Sequence, residues 1–326
     1  MAGITRANNP GGLSMGRGGD SVCYMTEENI VTFYLHASLR QQAESGNHNF
    51  IKIVSKVLHD AGLTVAFDDD DMMARLRALS RPGRSLVLMG DPIDDRGLTF
   101  RKTYIYPFWH IEKQAKRWEW PVAQETFDPS LQSSTKSTGF HQRWCKRLFD
   151  RAPTRDGFIY VPLQGQLTEQ RSFQACPPIA MIEAVLEHDP TRNVLATLHP
   201  REVYSPEDLA ALEALEKQYD RLVLAVGGST DPLLTCDYIV TQNSGAGFMG
   251  YFLKKPLVLF AQSEFHHIAL NVRQMGVASA FDAVPDHAPD YAAYLNWFLQ
   301  QHAINAGRPE AEKVIRRVLR RHGWPV

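Results

Sequence analysis

Hydrophobic and polar positions follow two alternating patterns along the chain, and these predict strands and helices in turn. Short apolar runs rich in β-branched and aromatic residues predict strands, whereas apolar residues that recur every three or four positions predict helices. In the first hundred residues the predicted strands are 30–35, 63–67 and 85–89, and the predicted helices are 50–61 and 72–79. Strands separated by single helices at this spacing are typical of a parallel sheet.

The second half of the chain shows the same alternation more clearly. The segment 205–208, Ser-Pro-Glu-Asp, combines an N-cap serine, a first-turn proline and two acids, and it predicts the start of a helix that reaches about residue 219. The apolar strands are nearly continuous, as in a doubly wound sheet covered on both faces. The predicted strands are 158–163, 194–198, 222–226, 238–241 and 257–260, and the other predicted helices are 178–187, 247–253, 291–302 and 309–321.

Residues 100–150 interrupt this alternation. They hold four of the six tryptophans, and the polar, small-residue stretch 132–139 predicts a loop or an interdomain linker. The predicted fold class is therefore α/β, with two Rossmann-like doubly wound domains facing across a cleft. The predicted division is a flexible leader (1–22), an N-terminal α/β domain (23–135), a linker region (136–156), a C-terminal α/β domain (157–308) and a basic C-terminal helix (309–326).

Composition restricts the class of protein. The length of 326 residues suits about two domains, and 35 basic against 36 acidic residues exclude binding to nucleic acid by bulk positive charge. No apolar run approaches the roughly 20 residues that span a bilayer, and the first 20 residues lack the apolar core of a secretory signal. The four cysteines, Cys23, Cys145, Cys176 and Cys236, are too dispersed for a zinc ribbon or a disulfide framework. We therefore predict a cytoplasmic protein with reduced cysteines.

Two loops after predicted strands carry groups that suit a phosphate. Ligands of open α/β sheets bind beyond the carboxyl ends of the strands, so these loops are the first candidates. His199 is held in extended geometry by Pro200 and can present an imidazole N–H. Asn243, Ser244 and Gly245 form a small polar turn before a helix, whose free N–H groups and dipole favour an anion. The alternatives are an ordinary loop histidine and a capped helix with small residues for packing.

Candidate catalytic carboxylates lie in two other loops. Gln164, Gln166 and Glu169 follow the first strand of the second half, and two amides beside a carboxylate can bind a nucleobase edge or sugar hydroxyls. The alternative for this loop is a solvated connection. Asp91 follows a strand of the first half, where it would face the other domain and could act as a general base toward a hydroxyl.

Two polar segments are predicted to bind no ligand. The acidic run 68–71 fits a solvated turn at a helix start. His266 and His267 are adjacent, so they do not share a face of a helix or strand, and no third ligand has a suggestive spacing. We therefore predict no metal site.

The motifs of the second half carry a resemblance. The order FIYVPLQGQ, TLHP, CDYIVTQNSGAG and KKPLVLF, within residues 157–272, resembles the capsular polysaccharide biosynthesis glycosyltransferases related to bacterial β-Kdo transferases. The resemblance implies the GT-B fold, in which the donor binds mainly to the second of two facing domains. It implies donor contacts from three places: His199 with Pro200, the turn 243–245, and Gln164 with Gln166.

The resemblance also implies a function. It implies a glycosyltransferase that uses a nucleotide-activated sugar, with a CMP-linked sugar as one candidate, and that needs neither a cofactor nor a metal. The acceptor would be a glycan or lipid-linked glycan at the N-terminal domain, where Asp91 lies. Both inverting and retaining chemistry stay open. Two alternatives are enzymes, namely a nucleotide-sugar epimerase and a polyol-phosphate transferase of similar fold. The third is a non-catalytic assembly protein, which is considered because no glutamate follows the turn 243–247.

The predicted helix 309–321 is basic and amphipathic. Its cations are interleaved with Val314, Ile315, Val318 and Leu319. Such a helix can lie on an anionic membrane surface, where lipid-linked acceptors reside, which would make the protein peripheral at the inner face of the membrane. The alternative is a helix packed on its own domain with a solvated basic face.

Overall fold

The computed structural model describes residues 27–228 and 230–326. The predicted leader 1–22 lies outside the described residues. The strands, in chain order, are β1 (Ile30–Leu35), β2 (Thr64–Asp69), β3 (Arg84–Leu88), β4 (Leu98–Lys102), β5 (Phe108–Glu112), β6 (Phe158–Pro162), β7 (Asn193–Leu198), β8 (Leu222–Val226), β9 (Tyr238–Thr241), β10 (Leu257–Leu259), β11 (Leu270–Asn271) and β12 (Ile304–Asn305).

Helices connect these strands. The α-helices, in chain order, are α1 (Ala37–Glu44), α2 (Asn49–Asp60), α3 (Met72–Leu79), α4 (Pro121–Gln124), α5 (Ser134–Leu148), α6 (Pro178–His188), α7 (Pro206–Gln218), α8 (Thr230–Thr235), α9 (Gly245–Phe252), α10 (Val272–Met275), α11 (Val277–Asp282), α12 (Tyr291–Asn296) and α13 (Ala311–Arg321). A π-helix, Trp297–His302, continues α12. No helix in this part of the chain is long and apolar enough to cross a membrane.

The first domain is built on a six-stranded sheet in the order β12-β5-β4-β3-β1-β2. β1 to β4 pair in parallel, while β5 and β12 are antiparallel additions at one edge. Alternate residues of β1, namely Val31, Phe33 and Leu35, are buried in one cluster with Phe50 and Val54 of α2. The apolar side chains on one face of the strand thus pack against those on one face of the helix in a single core.

The second domain is built on a six-stranded parallel sheet in the order β11-β10-β9-β6-β7-β8. Its apolar strands are largely buried, as the sequence predicted. From β6 the chain proceeds to β7 and β8 on one side, and then crosses to β9 on the other. The strand order therefore reverses between β6 and β9, the position at which open α/β sheets bind ligands.

The chain returns to the first domain after the second is complete. Ile304 of β12 pairs with Trp109 of β5, four residues before residue 308, where the second domain was predicted to end. Ile315 and Leu319 of α13 are fully buried in the core that contains α2. The apolar face of α13 is therefore covered by protein. Of the two interpretations of this helix, the structure supports packing on its own domain and not binding to a membrane surface.

The predicted loop at 132–139 is wrong, because α5 begins at Ser134. The Ser133 hydroxyl caps the helix by accepting the N–H of Lys136. Phe140, Trp144 and Leu148 recur every four residues and pack on a core that includes α9 and α12. Small polar residues at the helix start concealed an apolar stripe that begins only at residue 140.

Candidate functional site

A cleft of about 410 Å³ lies at the carboxyl ends of β6, β7 and β8 and the start of α9. His199, Pro200, Ser244 and Gly245, all named from the sequence, line it together. Gly227 and Gly228, with φ of 70° and 71°, also line it. His199 and Ser244, which are 45 positions apart in sequence, therefore lie together at the reversal of strand order. Both belong to loops at the carboxyl ends of strands, which were predicted to bind a ligand.

His199 presents one free ring nitrogen. Its Nδ1 accepts the N–H of Arg201 at 3.3 Å, and its backbone N–H donates to the Tyr204 hydroxyl at 2.7 Å. In the neutral imidazole an accepting Nδ1 leaves the proton on Nε2. Nε2 has no hydrogen-bond partner among the described residues, and the side chain is exposed. His199 can therefore donate to an oxyanion in the cleft.

The turn before α9 is a second donor group. Ser244 is the N-cap residue and accepts the N–H of Ala246 at 3.3 Å. Gly245 and Ala246 leave the first turn of the eight-residue helix free of bulky side chains. Free N–H groups at a helix start, together with the helix dipole, favour an anion. His199 and this turn therefore offer donors to the same cleft.

Three other residues named from the sequence do not line this cleft. Asn243 is buried, and its Nδ2 donates to the Gln262 carbonyl at 3.4 Å, so it braces two loops. Gln166 is exposed and adopts a left-handed φ of 62°. Gln164 is half-buried, and its Oε1 has no partner within the described chain.

The two candidate catalytic carboxylates are exposed and lie apart from the cleft lining. Asp91 Oδ1 accepts the N–H of Ala115 at 2.9 Å, and the residue borders a surface cavity with Asp70 and Arg75. Glu169 is exposed, without a hydrogen bond to the described residues. Their catalytic roles stay predictions.

Sequence reasoning missed Arg171, in the loop after β6. Its Nε and Nη2 are buried and have no partner in the described chain. Its guanidinium lies 5.0 Å from the Phe173 ring centre, and Phe173 packs 5.3 Å from Trp118 of the first domain. Two further amide atoms around the same strand ends, Nε2 of Gln174 and Oε1 of Gln242, are also unpartnered. Buried polar groups normally have hydrogen-bond partners, so these side chains keep hydrogen-bonding capacity that the described chain does not use.

An ion pair that sequence reasoning also missed joins the two domains. Arg117 Nη1 lies 2.8 and 2.9 Å from the carboxylate oxygens of Glu264, and both residues are buried. The Tyr104 hydroxyl accepts from Arg117 and donates to Glu264. Arg117 Nη2 also lies 3.5 Å from the carbonyl of Asn243. The pair therefore connects the first domain to the turn that begins α9.

Burial and charge oppose each other in this pair. Burial would raise the pKa of Glu264, but the charge of Arg117 and the hydrogen bond from Tyr104 outweigh burial and lower it. Burial would likewise lower the pKa of Arg117, and the Glu264 carboxylate raises it instead. Burial raises the pKa of Tyr104 well above its ordinary value. Glu264 and Arg117 are therefore charged at neutral pH, and Tyr104 is not.

Tyr104 also packs on the helix that begins at the cleft. Its ring is stacked on Phe248 with the ring centres 4.5 Å apart. A Cβ on Gly245 would lie 3.0 Å from Tyr104 Cδ1. Glycine at this position therefore allows the first domain to approach the turn that begins α9.

His266 and His267 are structural in this fold. His266 Nδ1 bonds the Ser263 carbonyl at 2.7 Å, and His267 Nε2 bonds the Val122 carbonyl of the first domain at 3.0 Å. His267 Nδ1 bonds the Tyr294 hydroxyl at 3.0 Å. Within residues 27–228 and 230–326, no three His, Cys, Asp or Glu side chains group as metal ligands.

The chain is similar to several solved structures, although no family model matches it and no curated protein does. The beta Kdo 2,7 transferase of KpsC from Thermosulfurimonas dismutans is 15% identical, with a TM-score of 0.50, over 90% of this chain and 99% of that one. The beta Kdo 2,4 transferase of the same KpsC is 11% identical, with a TM-score of 0.44, over 79% and 90%. The UDP-GlcNAc 2-epimerase from Neisseria meningitidis, bound to UDP-GlcNAc, is 11% identical, with a TM-score of 0.37, over 90% and 99%.

The first of these similarities extends over almost all of both chains and shows the fold. The prediction of two Rossmann-like domains in a GT-B-like arrangement is confirmed. The resemblance noted in the motifs of residues 157–272 is supported at the level of fold. Identity of 15% shows no more than that, because one fold hosts many activities.

Proposed function

We propose that the protein is a glycosyltransferase that binds a nucleotide-activated sugar in the cleft of its second domain. One observation supports this proposal above the others. His199 and the N-terminal turn of α9 present hydrogen-bond donors to one cleft at the reversal of strand order. Donors in this arrangement suit the phosphate groups of a nucleotide.

In this proposal, binding of the phosphates prepares the departure of the nucleotide. As the bond between the sugar carbon and the donor phosphate breaks, negative charge grows on the phosphate oxygen. Nε2–H of His199 and the backbone N–H of Gly245 would stabilise that charge. The acceptor hydroxyl forms the new bond to the sugar and loses its proton to a carboxylate.

We propose Asp91 as that base, and Glu169 as the second candidate. Asp91 follows β3 at the carboxyl edge of the first sheet, on the acceptor side, and its second carboxylate oxygen has no partner in the described chain. Asp91→Asn should then reduce the transfer rate by 100-fold or more and leave nucleotide affinity unchanged. If only Glu169→Gln has this effect, the role belongs to Glu169.

We also propose that the acceptor is a glycan carried on a lipid. The exposed face of α3 carries large apolar side chains near Asp91, with Met72 77% and Leu79 57% exposed. Met89, directly before this loop, is 51% exposed. An apolar surface beside the acceptor edge suits the lipid part of such an acceptor. Flotation with anionic vesicles tests this, and equal recovery of wild type and the double variant Met72→Ser, Leu79→Ser would contradict it.

The decisive experiment is binding and turnover with a nucleotide panel. Thermal shifts with CMP, CDP, UDP and GDP should identify one nucleotide, and His199→Ala should weaken its binding about tenfold or more. His59→Ala, an exposed histidine on α2, is the matched control and should bind like wild type. Absence of nucleotide binding to wild type would refute the proposal. Donor conversion without an acceptor would indicate an epimerase, and binding without turnover a non-catalytic protein.

A further inference from the structure

A cavity of about 210 Å³ lies inside the first domain, between its sheet and α3. Alternate residues of β1 pack on α2, so Thr32 faces the opposite side of the sheet. On that side Thr32 is paired with Ala66 of β2 and with Ser85 of β3, and three small side chains lie in one row. Protein cores are close-packed, so this row leaves a space that larger apolar side chains would normally fill.

The cavity is separate from the cleft of the second domain. Ile30, Arg84 and Ser85 line it and lie at the starts of their strands, so it is near the amino edge of the first sheet. The proposed donor cleft lies instead at the carboxyl ends of the other sheet. Arg81 is exposed and Arg84 is half-buried, so the turn that contains them forms the mouth of the cavity.

Ser85 presents an unused hydroxyl in the wall of this cavity. The residue is 6% exposed, and its Oγ is buried without a hydrogen-bond partner in the described chain. A Cβ on Gly97 would clash with this Oγ, so glycine at that position leaves room for it. Thr32 and Tyr34 add two further hydroxyl groups to the lining. Because buried polar groups normally have partners, the Ser85 hydroxyl indicates a ligand that forms hydrogen bonds.

Positive charge is in excess at the mouth. Arg84 Nη1 donates to a backbone carbonyl at 3.4 Å, and its guanidinium forms no ion pair with any described residue. Arg81 shares the carboxylate of Asp68 with a second arginine. The acid in the lining, Asp94, is already bonded by Arg96 Nε at 3.1 Å. Two arginines with so little compensation suit a phosphate, which carries up to two negative charges and three acceptor oxygens.

We propose that this cavity binds a monosaccharide phosphate. An engineered cavity of about 150 Å³ holds benzene, so this larger one suits a six-membered ring with its substituents. The ring hydroxyls bond the hydroxyls of the wall, and the C–H faces of the ring pack on Ile30 and Ala78. The phosphate lies at the mouth, beside Arg84. This inference does not rest on the proposed function, because neither the cleft nor Asp91 takes part in it.

The first test needs no ligand. Ser85→Ala removes a hydroxyl that has no partner in the free protein, so the unfolding temperature should rise or stay within about 2 °C of wild type. Ser55→Ala is the matched control, because it also removes a buried hydroxyl without a described partner, on α2 and outside the cavity. A larger fall for Ser85→Ala would show that the hydroxyl stabilises the fold itself, and would overturn the proposal.

The second test measures binding by calorimetry. The ligands are the 6-phosphates of glucose, galactose and mannose, the three parent sugars and inorganic phosphate. One sugar phosphate should bind at least tenfold more tightly than its parent sugar and than inorganic phosphate. Ser85→Ala should weaken that binding about fivefold or more, and Arg84→Gln should reduce it to the level of the parent sugar.

Two variants are controls for this measurement. Ser55→Ala and Arg143→Gln, at an exposed position on α5, should both keep the affinity of wild type. If none of the three sugar phosphates binds, the cavity holds only water and the proposal is overturned. Equal affinity for inorganic phosphate, or an affinity that either Ser85→Ala or Arg84→Gln retains, would also overturn it.

The two proposals fail separately. His199→Ala should leave the affinity for the sugar phosphate unchanged, because the cavity and the cleft share no residue. Loss of this binding in His199→Ala would place the ligand in the cleft and overturn the cavity proposal alone. If nucleotides do not bind but the sugar phosphate does, the glycosyltransferase proposal fails and the cavity site stands.

Discussion

Arg117 and Glu264 are 147 residues apart in sequence and form a buried ion pair, with Arg117 Nη1 2.8 Å from Glu264 Oε1. Arg117 belongs to the first domain, and Glu264 follows the fifth strand of the second-domain sheet in chain order, β10. Through Asn243 and Tyr104 the pair also contacts the turn that would bind the donor. A change in this contact between the domains would therefore also move the turn that lines the cleft.

Removing one charge of this pair should destabilise the protein strongly. Glu264→Ala leaves the Arg117 guanidinium buried without a partner, which typically costs about 3–5 kcal/mol. Urea unfolding measures this loss. The exposed pair Arg151–Asp231 is the matched control, and Asp231→Asn should cost less than about 1 kcal/mol because the pair is in solvent. Similar losses in the two variants would show that burial of the first pair is unimportant.

Gly245→Ala should weaken both the domain contact and nucleotide binding. The new Cβ would lie 3.0 Å from Tyr104 Cδ1, and the ring is held between Phe248 and the ion pair. Such overpacking typically costs about 1–3 kcal/mol. Gly139→Ala is the control, since its Cβ would meet only the flexible end of Arg143. This helix substitution should stabilise by about 0.5–1 kcal/mol, and a loss of stability there would contradict the argument.

Acidification should weaken the domain contact through His267. Burial and then the nearby His266 lower the pKa of His267 to about 4 from its ordinary value of 6.5. The unfolded chain then binds a proton between pH 6.5 and 4 that the folded chain does not, so stability falls as pH drops through that range. The loss reaches roughly 3 kcal/mol at pH 4.

His267→Gln provides the comparison for this effect. Its amide can still donate to the Val122 carbonyl, but it does not titrate. Urea unfolding between pH 7 and 4 should show a shallower decline for the variant. An unchanged decline would assign the pH dependence to other groups.

Glu112 should contribute to stability at neutral pH and lose that contribution in acid. Burial would raise its pKa, but the neighbouring rings of His110 and His322 and the charge of Arg321 lower it to about 2. Because the folded pKa is depressed, about 3 kcal/mol of stability is present above pH 4.5 and is lost as pH falls toward 2. Glu112→Gln should be less stable than wild type at pH 7, and the difference should disappear near pH 2. A difference that persists at pH 2 would contradict this assignment.

The regular elements were predicted from the sequence because their patterns are local. β1, α3, β8 and β9 have the predicted limits, since each is an uninterrupted apolar or amphipathic segment bounded by turn residues. α5 was missed because its first two turns are polar and its apolar stripe begins only at Phe140. β12 has two residues, and its pairing with β5 depends on a partner almost 200 positions earlier.

The cleft was partly predicted for a related reason. A loop after a strand can be recognised in sequence because polar and small residues follow an apolar run. His199, Ser244 and Gly245 were predicted in this way, and they line one cleft. The pairing of Arg117 with Glu264 is a relation between residues 147 positions apart, and no local spacing indicates it. The adjacent histidines after β10 indicate no ligand in the sequence, and in this fold their segment contacts the first domain.

The return of the chain to the first sheet affects how the protein folds as it is made. β12 and α13 complete the first domain, yet they leave the ribosome only after the entire second domain. The parallel sheet of the second domain has all its strands by residue 271 and can close first. Until residues 304–319 emerge, the apolar face of α2 around Val54 lacks its cover. The first domain to be synthesised is therefore the last to be finished, and it is the one most exposed to chaperones during translation.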